Sequence, residues 1–309
     1  MLGKWLAKVH KLNRKATIHR FASNPPLMIL FKTVADLTQS LTNKRSTKSS
    51  IGFVPTMGAL HAGHLALVEH SKKNTDITVA SIFVNPTQFN DPGDFAKYPV
   101  TLDNDLYLLE KAGCDFVFLP SVNEIYPSGT ALSRPFDLGY LETILEGKYR
   151  PGHFQGVCQV VHRLLDIVKP DTLFLGQKDY QQCMVIRRLI GLSGWDTQVS
   201  IVPTLREDSG LAMSSRNLRL TAEDREKASV IHRSLTYIKE YMAPGDTKTL
   251  ETKAAQMILD AGFEKIDYVT VADAGTLLPV TEWDGNTKAV ALAAAFLSGV
   301  RLIDNLLLN

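Results

Sequence analysis

The sequence predicts an α/β fold in which a doubly wound parallel sheet is followed by a smaller α+β domain. Between residues 28 and 204, short apolar runs alternate with segments of helical periodicity, as expected for β–α–β units. Glycine-rich or polar motifs directly follow three of these runs, where the carboxyl ends of parallel strands form ligand sites. Both observations favour a Rossmann-like N-terminal domain.

Apolar periodicity predicts the individual elements of this first domain. Strands are assigned to short runs of β-branched and aliphatic residues, and helices to segments whose apolar side chains recur every three or four residues. Such side chains share one face of the helix predicted at Gln155–Val168. The strands are predicted at Ile51–Val54, Ile77–Val84, Phe116–Leu119, Leu173–Leu175 and Val199–Val202, and the helices at Leu65–Lys73, Leu102–Ala112, Gln155–Val168 and Tyr180–Leu192.

The pattern changes after residue 204, because two helical segments precede three strand-like runs. This order predicts a smaller α+β lid domain over residues 205–309, with a hinge at Arg206–Arg216. A polar loop is predicted earlier in the chain, at Thr42–Ser50. The helices of the second domain are predicted at Ala222–Tyr241 and Leu250–Ala261, and its strands at Ile266–Val271, Ala289–Ala294 and Arg301–Leu307.

Residues 1–27 form a basic extension that contains no acidic residue and has apolar residues at helical spacing. Such a segment is typical of an amphipathic helix that lies on a membrane or directs a protein to an organelle. We favour the alternative of an appended or mis-started N-terminus, with the fold beginning near Met28, because nothing later in the chain calls for a membrane.

Deletion of residues 2–27 is therefore expected to leave turnover unchanged. The test compares the rate of product formation by the full-length protein with that of the shortened protein. A large loss of activity would place the extension in the fold or in the site.

Composition limits the classes of function. The 309 residues, 45% hydrophobic and 21% charged, suffice for two domains with sizeable cores. A net charge of +2 provides no general surface for nucleic acid. The three cysteines are scattered without a Cys-x-x-Cys pair, which favours a reducing, cytoplasmic location over disulfides or structural zinc. The longest apolar run, Ala289–Leu297, is too short to span a bilayer, so no membrane association is expected.

The most informative motif is Pro55–His64, which follows the strand predicted at Ile51–Val54. It places Gly58 before two histidines, His61 and His64, at the start of the next predicted helix. A glycine turn leading into a helix suits phosphate binding, because unpaired N–H groups and the helix dipole face the anion. Two imidazoles add donors for a phosphoryl group. The motif therefore predicts chemistry on the phosphates of a nucleotide.

The two commoner phosphate-binding patterns do not occur at this strand end. Gly-x-x-x-x-Gly-Lys-Ser/Thr and Gly-x-Gly-x-x-Gly are both absent, which disfavours a P-loop enzyme and a dinucleotide-binding protein. A structural role for His61 and His64, as a helix cap or in local packing, stays open beside the functional one. Metal binding by the pair is disfavoured because no third ligand lies nearby.

Three later segments carry further candidates. Asn85 and Gln88 end a predicted buried strand with neutral donors and acceptors, which suit a small hydroxy acid or an amide-forming substrate, or they form an ordinary Asn-Pro turn. Lys178 offers phosphate a point charge at a second strand–glycine–helix junction, where Asp179 caps the helix or contacts a ribose. The segment Ser214–Arg216 combines two hydroxyls with a cation, as in a mobile phosphate clamp, or forms a surface turn.

Two charged residues have open assignments. Asp105 lies at the start of a predicted helix, where a carboxylate is favourable without any function, or holds Mg²⁺ together with ATP. Arg150 lies in a loop before the next predicted helix and offers a further cationic contact.

Together these segments resemble the pantothenate synthetase family, also called the pantoate–β-alanine ligases. The histidine motif alone is shared with other nucleotidyltransferases, whereas the full set is specific to this family. The matching runs keep the family's order from Met28 to the C-terminal LIDN, and they are PTMGALHAGH, SIFVNPTQF, YPVTLDNDL, LEGKYRPGHFQGV, FLGQKDYQQ and REDSGLAMSSRN.

The resemblance implies a ligase that makes pantothenate for coenzyme A biosynthesis. In its first step the carboxylate of (R)-pantoate attacks the α-phosphate of ATP, which gives pantoyl adenylate and pyrophosphate. The amine of β-alanine then displaces AMP. Because a carboxylate is a weak nucleophile, the first step requires charge neutralisation at the phosphates. The resemblance implies ATP as a substrate and Mg²⁺ with it.

The resemblance also implies roles for individual residues. His64 matches the family's proton donor, and His61 and Lys178 act with it to stabilise the phosphoryl transition state. Gln88 and Gln182 hold pantoate, and Gln88 also meets β-alanine. The ATP site is implied at Met57, Gly58, Ala59, Leu60, His61, Ala62, Gly63, His64, Gly176, Gln177, Lys178, Asp179, Leu205, Met213, Ser214, Ser215 and Arg216.

Two residues depart from the family pattern. Gln177 stands where many relatives carry Glu, and Asn104 stands where some carry Asp, which weakens any metal site built on paired carboxylates. The resemblance further implies a homodimer formed through the first domain.

Two other functions compete with the ligase. A different adenylyltransferase would leave Gln88 and Gln182 without a task. The other is a nucleotide-sensing or RNA-binding module, and both the near-neutral charge and the absence of a basic, aromatic-rich stripe count against RNA binding.

Overall fold

The computed structural model describes residues 28–89, 92–132 and 134–309, so the basic extension 1–27 lies outside the described residues. In the described part of the chain, no helix has the length and apolar character needed to cross a membrane. Contacts divide the chain into two compact units. The first comprises the described residues up to Thr143, Arg150–Leu175 and Cys183–Val202, and the second comprises Ile144–Tyr149, Gly176–Gln182 and Pro203–Asn309.

A six-stranded sheet forms the centre of the first unit. Its strands are β1 (Ile29–Phe31), β2 (Ile51–Thr56), β3 (Ile77–Ile82), β4 (Phe116–Phe118), β5 (Thr172–Gly176) and β6 (Gln198–Val202). The strand order is β1-β4-β3-β2-β5-β6, and β1–β4, β4–β3, β3–β2 and β2–β5 pair in parallel. From β2, the strands β3 and β4 are added on one side, whereas β5 and β6 are added on the other. The order in which strands join the sheet therefore reverses between β2 and β5. In sheets of this type, ligands bind at the carboxyl ends of the strands beside such a reversal.

The central strands β2 and β3 have almost no exposed residues, as expected for parallel strands covered on both faces. Val54, Val68 and Leu109 share one core cluster of this unit. The helices from residue 28 to residue 202 are α1 (Val34–Ser46), α2 (Ala62–Asn74), α3 (Pro92–Ala96), α4 (Leu102–Lys111), α5 (Val122–Ile125), α6 (Leu145–Tyr149), α7 (His153–Val168) and α8 (Tyr180–Ser193), with 3₁₀ turns at Pro86–Gln88, Gly139–Glu142 and Gln177–Asp179.

The second unit is built on a three-stranded antiparallel sheet whose strands lie side by side in the order Val300–Leu307, Ala289–Leu297 and Lys265–Asp273. One core cluster joins Leu235 and Ile258, from two of its helices, to Val271 and Ala291 of the sheet. The elements are α9 (Ala222–Ala228), α10 (Val230–Tyr241), α11 (Lys248–Asp260), β7 (Gly245–Asp246), β8 (Lys265–Asp273), β9 (Glu282–Trp283), β10 (Ala289–Leu297) and β11 (Val300–Leu307), with a 3₁₀ turn at Ser215–Arg219.

The predicted fold class is confirmed, because a parallel sheet with helices is followed by a smaller part with antiparallel strands. Two element predictions are wrong. The segment predicted as a loop at Thr42–Ser50 is helical up to Ser46, and Lys44 and Arg45 lie in the last turn of α1. The helix predicted at Ala222–Tyr241 is two helices that meet at Ser229, whose hydroxyl donates to the Glu226 carbonyl at 2.6 Å.

Candidate active site

A left-handed turn connects β2 to α2. Gly58 has φ +80° and Ala59 has φ +49°, so two consecutive residues lie in the region that favours glycine. A Cβ at residue 58 would lie 3.0 Å from Asp105 Oδ2 and 3.2 Å from Ile82 Cγ2. Glycine at residue 58 therefore suits the backbone conformation, and a Cβ there would force its neighbours to shift by a few tenths of an ångström. The turn brings the chain from the carboxyl end of β2 to His61 at the N-cap of α2.

Asp105 of α4 holds this turn. Its Oδ2 accepts from the Ala59 N–H at 2.9 Å, and its Oδ1 accepts from the Leu60 N–H at 2.8 Å and the Thr101 hydroxyl at 2.9 Å. The side chain is buried, with 1% of its residue exposed. The sequence left Asp105 open as a helix-start carboxylate or a Mg²⁺ ligand. The structure instead engages both oxygens with the turn, so the N–H groups of Ala59 and Leu60 are directed at Asp105.

Asp105→Asn is expected to lower the free energy of unfolding by about 2 kcal/mol and to reduce turnover. The amide keeps one acceptor oxygen but directs an NH₂ group at a backbone N–H, so the left-handed turn loses a restraint. Thermal unfolding and AMP release measure the two effects. Asp103→Asn is the control, because Asp103 is exposed on the same first helical turn. Equal losses in both variants would mean that Asp105 acts only on the helix dipole.

The two histidines of the motif lie together. Their ring centroids are 4.0 Å apart with an interplanar angle of 36°, and the His61 N–H donates to His64 Nδ1 at 3.3 Å. An Nδ1 that accepts a hydrogen bond carries no proton, so this contact assigns an imidazole proton of His64 to Nε2. The capping role left open by the sequence is therefore present. It also prepares His64 Nε2–H as a donor.

The polar turn after β3 is held by contacts from distant parts of the first unit. Asn85, 1% exposed, donates from Nδ2 to the Gly156 carbonyl at 3.1 Å and to Gln88 Oε1 at 3.2 Å. Its Oδ1 accepts from the Tyr126 hydroxyl at 2.9 Å. Burial raises the pKa of Tyr126 to about 12, so the phenol stays protonated and donates at neutral pH. Asn85 thus orients the turn and the Gln88 amide.

Gln88 joins this turn to the histidine motif. Its Nε2 lies 2.9 Å from Met57 Sδ, and its backbone carbonyl lies 2.8 Å from His153 Nδ1. His153 Nε2 in turn lies 3.0 Å from Arg150 Nη1. A guanidinium is only a donor, so His153 accepts at Nε2 and donates from Nδ1. Within the first unit, the structure therefore brings a predicted pantoate residue, Gln88, against a predicted ATP residue, Met57.

The Lys178 segment lies in the second unit. Gly176 ends β5, and Gln177–Asp179 forms a 3₁₀ turn that leads into α8. Lys178 Nζ lies 3.4 Å from Asp179 Oδ1, and the lysine side chain is 18% exposed. Gln182 is half-buried on the first turn of α8. Sequence reasoning missed one residue here: Asn305 of β11, whose amide contacts the turn. Its position in the C-terminal LIDN run was the available signal.

The segment Leu205–Arg216 is braced within the second unit. The Met213 N–H donates to the Leu205 carbonyl at 3.0 Å, which pairs these two predicted ATP residues through their backbones. Arg206 donates to both oxygens of the buried Asp304, at 2.6 and 3.0 Å. Ser214 is the N-cap of the 3₁₀ turn Ser215–Arg219. The mobility of this segment as a clamp stays a prediction.

A metal centre made by the protein alone is absent from the described residues, since no three His, Cys, Asp or Glu side chains are grouped to hold an ion. Asp105, the carboxylate considered for Mg²⁺, is occupied by N–H groups.

Comparison with known sequences identifies similar proteins over nearly the whole described chain. The sequence profile of a family described as pantoate-beta-alanine ligase matches residues 29–307. A pantothenate synthetase of Bacteroides thetaiotaomicron is 43% identical over 279 residues, which cover 90% of this chain and 98% of that protein. One of Cytophaga hutchinsonii is 42% identical over 283 residues, which cover 91% of this chain and 99% of that protein.

Solved structures show the same similarity. A crystal structure of pantothenate synthetase from Thermus thermophilus has a TM-score of 0.82 at 41% identity, covering 90% of this chain and 98% of that one. A pantoate-beta-alanine ligase from Francisella tularensis, complexed with beta-gamma ATP and beta-alanine, has a TM-score of 0.75 at 38% identity, covering 91% and 97%. Fold and sequence agree, and this chain belongs to the pantoate–β-alanine ligase family.

Proposed function

We propose that this enzyme makes pantothenate from pantoate, β-alanine and ATP through a pantoyl-adenylate intermediate. Family membership supports the overall reaction. The beta-gamma ATP and beta-alanine in the complex of the Francisella tularensis relative support ATP and β-alanine as two of the three substrates. In this reaction the pantoate carboxylate attacks the phosphate directly, so no covalent enzyme intermediate is required.

One observation carries the proposal: the His61 N–H donates to His64 Nδ1, so the proton of His64 lies on Nε2. This donor stands where the chain leaves β2, beside the strand reversal at which ligands bind in such sheets. Because the tautomer is set before substrate binds, the imidazole needs no reorganisation to donate to a phosphate oxygen.

The first step joins the pantoate carboxylate to the α-phosphorus of ATP and expels pyrophosphate. Gln88 holds pantoate, since its amide is oriented by Asn85 and lies against Met57. Negative charge grows on the phosphate oxygens in this step, and the Nε2–H of His64 stabilises it as a donor. The roles of His61, Lys178, Arg216 and Gln182 are carried over from the family resemblance.

The second step joins the β-alanine nitrogen to the pantoyl carbonyl carbon and expels AMP. The nitrogen attacks as the neutral amine and loses one further proton to become the amide. Water must be excluded meanwhile, because hydrolysis of the adenylate would waste ATP. We assign this shielding to the segment with Ser214 and Ser215, as a lid. Mg²⁺ stays a prediction, since ATP phosphates and water commonly supply most of its ligands.

The experiment that tests the proposal traces the carboxylate oxygens of pantoate and measures the release of AMP. Pantoate labelled with ¹⁸O in its carboxylate is expected to transfer one label to AMP, and AMP release is expected to require both pantoate and ATP. Label in inorganic phosphate together with ADP would show an acyl phosphate instead, and AMP release without pantoate would point to a different adenylyltransferase.

Two further expectations of the family stay proposals. A homodimer formed through the first unit rests on the resemblance alone. A cytoplasmic location rests on the three cysteines, which are free and buried in the structure.

A further inference from the structure

We infer that Asn305 is a positioning residue that sets the backbone of Lys178, and through it the ammonium that the proposed function directs at ATP. This inference rests on the proposed function. Asn305 lies in β11, far along the chain from the turn that it contacts, and it is 2% exposed. Its amide contacts the backbone of neighbouring residues, which supports a positioning role.

All polar atoms of the Asn305 amide are used in one turn. Its Nδ2 donates to the Gln177 carbonyl at 3.0 Å and to the Lys178 carbonyl at 2.8 Å. Its Oδ1 accepts from Gln177 Nε2 at 3.2 Å. A primary amide has two N–H donors and one carbonyl, so this set satisfies it. No isosteric side chain offers the same combination, because aspartate has no donor at neutral pH.

The backbone of Asn305 is fixed on the other side by the preceding residue. Asp304 Oδ1 accepts from the Asn305 N–H at 2.8 Å, and the same carboxylate binds Arg206 through both oxygens. The Asn305 carbonyl also accepts from Arg206 Nη2 at 3.3 Å. A buried, bidentate ion pair is geometrically specific, so Asn305 is a rigid support for the turn.

This support decides where Lys178 projects. The residue has a long flexible side chain, and its direction begins with the peptide plane that Asn305 fixes through the Lys178 carbonyl. Without the amide donors, the turn Gln177–Asp179 loses its two carbonyl restraints. A displacement of about 1 Å caused by a residue far from the chemistry can reduce catalysis by about 10²-fold.

The test uses Asn305→Asp, which keeps the shape and one acceptor but directs oxygen at both carbonyls. Asn305→Ser is the second variant, for use if the Asn305→Asp enzyme does not fold. Each is expected to lower kcat/KM for ATP about 10- to 100-fold, while the KM for β-alanine changes less than about twofold. Asn309→Ala is the matched control, because Asn309 makes two backbone contacts in the same unit at 2.8 and 3.2 Å. It is expected to affect thermal stability only.

A double-mutant cycle with Lys178→Ala separates the inference from the proposed function. If Asn305 acts through Lys178, adding the Asn305 change to Lys178→Ala lowers kcat/KM by less than about threefold more. Full additivity, or folded Asn305 variants with normal kcat/KM, would overturn the inference. Normal activity of Lys178→Ala itself would instead overturn the role that the proposed function gives to Lys178.

Discussion

His64→Ala is expected to lower kcat for AMP formation by at least about 10²-fold, which corresponds to about 2.7 kcal/mol of transition-state stabilisation. The imidazole Nε2–H is a donor whose tautomer is already set by the His61 N–H, and alanine removes it. Alanine also removes the cap contact, at a cost of about 1 kcal/mol in the free energy of unfolding. Single-turnover kinetics measure the first effect, and thermal unfolding measures the second.

His64→Asn separates the cap from the chemistry. The Oδ1 of asparagine reaches about where His64 Nδ1 lies, so it accepts the His61 N–H, but nothing replaces the Nε2–H donor. We expect this variant to recover the stability of the enzyme and to remain as slow as His64→Ala. His70→Ala, at the other end of α2, is the control and should turn over normally. Recovery of activity in His64→Asn would reduce His64 to a structural cap.

Apolar periodicity was sufficient to predict the fold, because parallel strands buried on both faces are continuous apolar runs and amphipathic helices alternate with them. It failed where the signal is short or polar. The strand β1 has three residues, and α1 is mostly polar with only Leu37 and Leu41 buried, so neither gives a pattern of usable length. The break at Ser229 depends on local backbone geometry, which periodicity does not contain.

The positions of the candidate residues were predictable where these residues lie in one contiguous motif. His61 and His64 are such a case, since three residues of spacing place both on one helical turn. The supporting residues were not predictable in the same way. Asp105 reaches a turn 46 residues earlier in the chain, and Asn305 reaches one 128 residues earlier, so only the folded topology shows what they hold.

Gly156 is a support of a different kind, and Gly156→Ala is expected to have a large effect on both stability and substrate binding. A Cβ at residue 156 of α7 would lie 2.0 Å from the Thr87 carbonyl oxygen and 2.8 Å from Gln88 Cα. The atoms nearest to this Cβ belong to the backbone of Thr87 and Gln88, so α7 and the turn after β3 must move apart. We expect a loss of about 3 kcal/mol in the free energy of unfolding. The kcat/KM for pantoate should fall about 10²-fold, because Gln88 is displaced.

Gly191→Ala provides the matched comparison, since it is the same change inside a helix. Gly191 lies in α8, is exposed, and has no atom within 4 Å of the position that its Cβ would occupy. Alanine there should raise the free energy of unfolding by up to about 1 kcal/mol, because it removes the helical penalty of glycine. Chemical denaturation measures the change in the free energy of unfolding for both variants. Changes of opposite sign would show that the close approach of the Thr87 backbone, and not helix propensity, requires glycine at residue 156. A stable Gly156→Ala enzyme with normal kcat/KM for pantoate would contradict the role of this contact in placing Gln88.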